Sequence, residues 1–303
     1  MTKIKLKDYH ITPVFCLAVY ILVFISSYIK TGAEYSANKF LSLLVIQIMI
    51  FVMPAIIYKR IKGPISYKEL GVRSFGATGI LLVICAAVFM FCAAVLMGLG
   101  SKSTAAPFSA NITEIPVSGI VYTVMLYCLL PAIVEEITFR SVIYGEYRKF
   151  GVIEGALLSS VLFALMHFSL NGFFTYFLCG VVLALIYEVT HSVFASMAAH
   201  FIYNILSVFS HKLLNDAAAR ADSLIPFIFI FAAAMLLFLF FSLSRAQRLL
   251  EIDAETVPES QNEKFPPLAE RLRTLLVSAL SPGYVLCLAF AFFAGIMKIR
   301  GQL

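Results

Sequence analysis

A chain of 303 residues with 61% apolar and 13% charged residues and a mean hydropathy of +0.94 is built for a hydrocarbon solvent, which excludes the soluble fold classes. Its apolar runs reach the ~20 residues that a helix needs to cross ~30 Å of hydrocarbon, and they lack the alternating ~10-residue segments of an outer-membrane barrel. The formal charge of +6 falls between those runs, where it reads as topology and not as a nucleic-acid footprint.

The pattern predicts an all-α polytopic transmembrane bundle of about nine spans. The first, Ile11 to Ile29, follows Lys3, Lys5 and Lys7. It is too long for the apolar region of a signal peptide and lacks an A-x-A cleavage site, so it reads as a retained anchor. Further spans are expected at 40–58, 77–99, 117–147 with a kink near Pro131, 152–169, 173–188, 192–209, 224–243 and 274–297 with Pro282 inside. The stretch 244–273, rich in Glu and Pro, is expected to be a partly disordered polar loop. The chain thereby divides into N-terminal helices (1–116), a central core (117–209) and C-terminal helices (210–303) that include this loop.

Loops on the N-terminal side hold fifteen of the Lys and Arg residues and those on the other side seven, with Arg140 inside a helix. The N-terminus and the 244–273 loop are therefore expected in the cytoplasm. All six cysteines lie in apolar runs without metal-like spacing and read as small buried hydrophobes. The sequon Asn111-Ile112-Thr113 is a triplet common by chance and carries no weight. The absence of Trp, the short loops and the Lys-rich start point to a bacterial plasma membrane.

Ionisable side chains within spans cost roughly 2.5–3.5 kcal/mol each on insertion scales, so they are functional candidates by default. Here they gather on three consecutive units: Glu135, Glu136 and Arg140 on the fourth helix, Phe163 and His167 on the fifth, His200 and Asn204 on the seventh. Glu136 and Arg140 stand at i and i+4 and can neutralise one another along one face. Glu135 points about 100° away from that face. One intramembrane His, or one Glu–Arg pair, is accounted for by packing alone; the ordered set on neighbouring helices is not. Counting from a turn at Gly151, Glu135 and His167 each lie sixteen residues away, ~24 Å at 1.5 Å per residue, so they can face each other on antiparallel helices.

Glu135-Glu136-x-x-x-Arg140, Phe163-x-x-x-His167 and His200-x-x-x-Asn204 resemble the motifs of the CPBP family of intramembrane proteases, which includes type II CAAX prenyl endopeptidases and bacterial Abi or bacteriocin-immunity proteins. The linking segment fits as well, with Phe177-x-x-Gly180, Thr190 and Ser192; Ala184 and His191 occupy positions usually or often Gly in the family. The resemblance spans about 117–209. It implies hydrolysis of a peptide bond in a membrane-associated peptide or protein, without a cofactor. Glu135, helped by His167, would activate water; His200 and Asn204 would stabilise the oxyanion; Glu136, Arg140 and Phe163 would support the site. The rival chemistry is zinc, with Glu135, His167 and His200 as ligands, although HExxH is absent and Asn is a poor zinc ligand. The Asp residues fall in predicted loops and no GxSG motif is present, which disfavours aspartyl and serine intramembrane sites. A non-proteolytic scaffold or immunity factor is the alternative function, followed by a proton-coupled transporter, for which no internal repeat is visible.

Overall fold

The structure is a computed structural model that describes residues 7–29, 37–62, 70–100, 117–256 and 265–301. Among these the regular elements are helices: α1 (Lys7–Ser26), α2 (37–62), α3 (Ala77–Gly100), α4 (117–150), α5 (Val152–Leu165), α6 (Phe173–Thr190), α7 (Val193–Arg220), α8 (Ile225–Thr256), α9 (Leu268–Ala279) and α10 (Pro282–Ile299). Seven of them, α2, α3, α4, α6, α7, α8 and α10, contain stretches long and apolar enough to cross a membrane, while α1 and α5 are shorter apolar helices. The chain is an all-α multi-pass membrane protein. The sequon at Asn111 and the connector residues 257–264 lie outside the described residues.

Proline shapes two of the long helices. Pro54 and Pro131 have no N–H to give to the preceding turn, and the ring crowds the carbonyl four residues back. In both helices the backbone answers with a wider, π-type turn just upstream, Ile48–Val52 and Val124–Leu129, closed by five-residue bonds such as Met53 N–H to the Ile48 carbonyl and Leu130 N–H to the Met125 carbonyl. The disturbance expected near Pro131 takes this form inside an unbroken helical run. A third wide turn, Ile137–Tyr144, contains Arg140 and no proline.

The chain forms two compact units. The first comprises residues 1–71, 134–185 and 263–303, the second 72–133 and 186–262. In the first, α5 is gripped by two tyrosines from other helices. Tyr20 of α1 donates to the Leu162 carbonyl at 2.5 Å, and Tyr284 of α10 donates to the Leu158 carbonyl at 2.9 Å. A buried phenol must find an acceptor, and these two take carbonyls one turn apart. Thr12 and Tyr58 tie α1 to α2 at 2.8 Å.

The turn from α4 into α5 depends on two glycines. Gly151 has φ +146°, outside the range of ordinary residues. A Cβ at Gly155 would lie 2.8 Å from the Arg148 backbone nitrogen and 3.0 Å from the Tyr147 carbonyl carbon. Gly155→Ala must therefore push backbone against backbone, and should cost about 1–3 kcal/mol. A thermal midpoint in detergent equal to that of the wild type would show that the two segments are not packed so closely.

In the second unit α3 packs against α7 and α8. The bend into α7 is held by side chains: the Thr190 hydroxyl donates to the Ile186 carbonyl at 2.6 Å, and Ser192 donates to the Arg73 carbonyl. His191 has φ +49°, which explains why Gly suits this position, and its Nε2 lies 2.9 Å from Asp253 of α8.

Several boundaries differ from expectation. α5 ends at Leu165 and not at 169, so His167 lies beyond the helix. The supposed loop 244–273 is largely helical: α8 continues to Thr256 and α9 begins at Leu268. Residues 244–256 contain neither Pro nor Gly, and Gln247 donates to Glu251 one turn on at 3.0 Å, so nothing local stops the helix. This extension and that of α7 place Asp253 and Asp216 on helices and not in loops. The expected last span 274–297 is split, because Pro282 opens α10 with Ser281 as its cap. There the missing N–H is harmless.

Candidate active site

The first unit holds Glu135, Glu136, Arg140, Phe163 and His167, and the second holds His200 and Asn204. Arg140 organises the first group. Its Nε lies 3.0 Å from Glu136 Oε2, the pair predicted from i,i+4 spacing. Its Nη2 donates to the Gly180 carbonyl of α6 at 3.2 Å, and its guanidinium carbon sits 4.6 Å from the centre of the Phe163 ring on α5. One side chain thus ties α4, α5 and α6 together. Glu136 and Arg140 are 0% and 1% exposed, so water screens this pair very little.

Gly180 allows that convergence. A Cβ there would lie 2.9 Å from the Ser160 side chain and 3.1 Å from its Cα, so only a residue without a side chain lets α6 approach α5 at this level. The Phe177-x-x-Gly180 pattern therefore serves helix packing. Its carbonyl serves Arg140.

Glu135 differs from its neighbour. It is half-buried where Glu136 is fully enclosed, and it interacts electrostatically with both Arg140 and Tyr176. The wide turn beginning at Ile137 separates the two acids from Arg140, and the geometry of a regular α-helix no longer decides which carboxylate feels it.

His167 occupies the turn after α5. Its Nδ1 lies 3.0 Å from the Phe163 carbonyl, which can only accept. Nδ1 therefore carries the hydrogen, and the neutral ring keeps its lone pair on Nε2. The imidazole stacks on Tyr176 with centroids 3.6 Å apart and an interplanar angle of 19°, and meets Phe163 edge-on at 5.0 Å. The next residue, Phe168, has φ +48°, unusual for a bulky side chain. Its ring is seated against Tyr20 and Phe290. Lys298 donates to the His167 carbonyl at 3.4 Å.

Tyr176 is the residue that sequence reasoning missed. It is buried, and its ring reaches His167 because Gly172 has no side chain: a Cβ there would stand 2.8 Å from Tyr176 Cε2. In the run Phe173-Phe174-Thr175-Tyr176-Phe177 one more aromatic residue carries no visible signal. The available clue was Gly172, five residues after His167 and four before Tyr176.

In the second unit His200 and Asn204 lie one turn apart on α7, 5% and 0% exposed. Asn204 Nδ2 donates to the Cys128 carbonyl at 3.2 Å, within the wide turn ahead of Pro131. That leaves one amide hydrogen, and an Oδ1 that has no hydrogen-bond partner among the described residues. Buried amide oxygens are seldom left so. Within either unit taken alone, no three described His, Cys, Asp or Glu side chains are grouped to hold a metal ion; the zinc set Glu135, His167 and His200 draws on both.

Residues 117–206 match the family model described as Type II CAAX prenyl endopeptidase Rce1-like. No curated protein and no solved structure matches the chain. The matched segment contains all three motifs in order, while α1 to α3 and α8 to α10 lie outside it. Residues 117–206 are thus similar to the type II CAAX prenyl endopeptidases, a family of intramembrane proteases.

Proposed function

We propose that the protein is an intramembrane endopeptidase that hydrolyses a peptide bond in a membrane-associated peptide or protein, using a water activated by Glu135. The family match supports proteolysis. The observation that carries the assignment of the base is the contrast between adjacent acids. Glu136 is sealed against Arg140 at 3.0 Å with no exposure, whereas Glu135 is half-buried as a residue, with its Oε2 enclosed.

In this reading Glu135 takes a proton from the water, and the water oxygen attacks the scissile carbonyl. His167 Nε2, its lone pair fixed by the Nδ1 bond to Phe163, accepts the second hydrogen of the water and orients it. The carbonyl oxygen becomes an oxyanion that receives hydrogen bonds from His200 and from the remaining amide hydrogen of Asn204. Glu135 then returns its proton to the leaving amine as the C–N bond breaks. Glu136, Arg140 and Phe163 hold the shape of the first unit. We place the N-terminus in the cytoplasm of a bacterial cell, following the distribution of Lys and Arg.

The test is a comparison of membrane peptides from cells carrying the wild-type chain or Glu135→Ala. Fragments present only with the wild type are expected. Identical peptide sets, with a phenotype that survives the mutation, would instead establish the scaffold or immunity role.

Zinc chemistry is distinguished separately. Purified protein is expected to contain substoichiometric zinc and to keep its activity after thorough chelation. Stoichiometric zinc lost and regained together with activity would reassign Glu135, His167 and His200 as ligands.

Asn204 should act on the transition state. Removing one oxyanion donor typically costs ~10²–10³ in kcat with little change in KM. Asn204→Ala is expected to show that pattern. A raised KM with an unchanged kcat would move Asn204 to substrate binding.

A further inference from the structure

α9 presents two unlike flanks. Leu268, Leu272 and Leu276, and Leu280 just past the helix end, are spaced by four and are 63%, 49%, 59% and 74% exposed. The other flank is fastened to the first unit: Arg271 Nη2 lies 2.6 Å from Glu154 Oε2 at the start of α5, and Ser278 is fully buried. A row of leucines open to water is an aggregation hazard, so this face needs a cover. The helix has 12 residues, ~18 Å at 1.5 Å per residue, too short to cross the hydrocarbon.

Three observations identify the cover. The chain leaves α9 and enters the apolar helix α10 at Pro282, so α9 is tied to the end of a membrane-crossing segment. α10 itself exposes Leu286, Phe292 and Phe293, a surface suited to acyl chains. The end of the unit against which α9 packs is basic. Arg148 and Lys149 lie in the turn that α9 contacts, and Lys149 and Lys62 both reach Glu146, at 3.0 and 3.6 Å; Arg273 is exposed on α9 itself. Cations at this level attract anionic headgroups.

We infer that α9 is an in-plane helix resting on the bilayer interface, with its leucine flank among the upper acyl chains and Arg271 clamping it to Glu154. Such helices sink their apolar face ~5–10 Å into the boundary between headgroups and acyl chains. The Arg271–Glu154 pair meets the chain where α4 turns into α5, since a Cβ at Gly151 would fall 2.0 Å from Glu154 Oε2 and 2.5 Å from Arg271 Nε. The membrane-seated helix is thereby fastened to the turn that joins the Glu135 and His167 segments.

The chain contains no Trp, so a single introduced Trp reports its own surroundings. Leu272→Trp and Leu276→Trp, with Glu270→Trp on another flank, are purified as full-length chains and reconstituted into vesicles of phosphatidylcholine and phosphatidylglycerol. The first two are expected to emit at short wavelength, to lose most of their emission when the lipids carry bromine high on the acyl chain, and to resist acrylamide. Glu270→Trp should be quenched more by acrylamide and less by the lipid. Strong acrylamide quenching of Leu272→Trp and Leu276→Trp would place the flank in water and overturn the inference. So would short-wavelength emission that brominated lipid leaves intact and that depends on the protein-to-lipid ratio, which would mean that a second copy of the chain covers the leucines. Should either variant fail to fold, Leu268→Trp and Leu280→Trp report the same flank.

Discussion

Glu135→Gln is expected to remove cleavage while leaving insertion, abundance and thermal stability close to wild type. The substitution keeps the shape of the side chain and removes its ability to take a proton. General-base catalysis by a positioned side chain contributes typically ~10²–10⁴ in rate, and proteolysis at this depth has no bulk hydroxide to fall back on. Glu135 lies outside the 3.0 Å Glu136–Arg140 pair, and the amide has the shape of the carboxylate, so stability should change little. The measurement pairs single-turnover cleavage of a reconstituted substrate with a melting curve of the same preparation. Cleavage within a few-fold of wild type would end the assignment, and a collapsed melting curve would show that Glu135 is structural.

Arg140→Met is expected to produce the opposite profile, with the protein itself lost first. Breaking a buried ion pair by removing one partner costs about 3–5 kcal/mol, because the other charge is left uncompensated. Here the loss is compounded, since Arg140 also donates to the Gly180 carbonyl and covers the Phe163 ring. With ordinary stabilities of about 5–15 kcal/mol, a decrease of that size should lower the amount of protein in the membrane. The double variant Glu136→Gln, Arg140→Met should recover part of the stability, because no unpaired charge remains at this pair. Equal stability of the single variant and the wild type would mean that the pair contributes nothing to folding.

What the sequence displayed, and what it hid, follows from how each feature contrasts with its surroundings. Charged residues inside apolar helices stand out, so Glu135, Glu136, Arg140, His167 and His200 were visible as a set. The Glu136–Arg140 pair was legible from spacing alone because i,i+4 neighbours remain close through the onset of the wide turn. Position beyond a helix end was not legible. His167 follows an unbroken apolar run, and nothing in Phe163-Ala-Leu-Met-His167 announces that α5 stops at Leu165 and that the imidazole is fixed by a backbone carbonyl. Tyr176 was hidden among aromatic neighbours. α9 was hidden for a related reason: its leucines merge with the apolar run of α10, and only the Arg271–Glu154 pair and the burial of Ser278 mark it as a separate helix packed on the first unit. The wide turn at Ile137–Tyr144 has no proline to betray it, and its origin lies in packing that a linear pattern does not record.

The wide turn at Val124–Leu129 also gives the fourth helix an uneven tolerance of length. A π-type turn accommodates surplus chain within an otherwise ordinary helix, so deleting one residue from 124–129 can tighten the turn and leave Glu135 facing as before. Removing one residue from 117–123, where the backbone is regular α-helix, has no slack to draw on. It must rotate everything on one side of the cut by about 100° relative to the other. Two deletions only a few residues apart, equal in composition and in length, thus make unequal demands on the same helix. Natural variation in chain length along the first part of this helix should accordingly collect at the turn ahead of Pro131 and be scarce in 117–123.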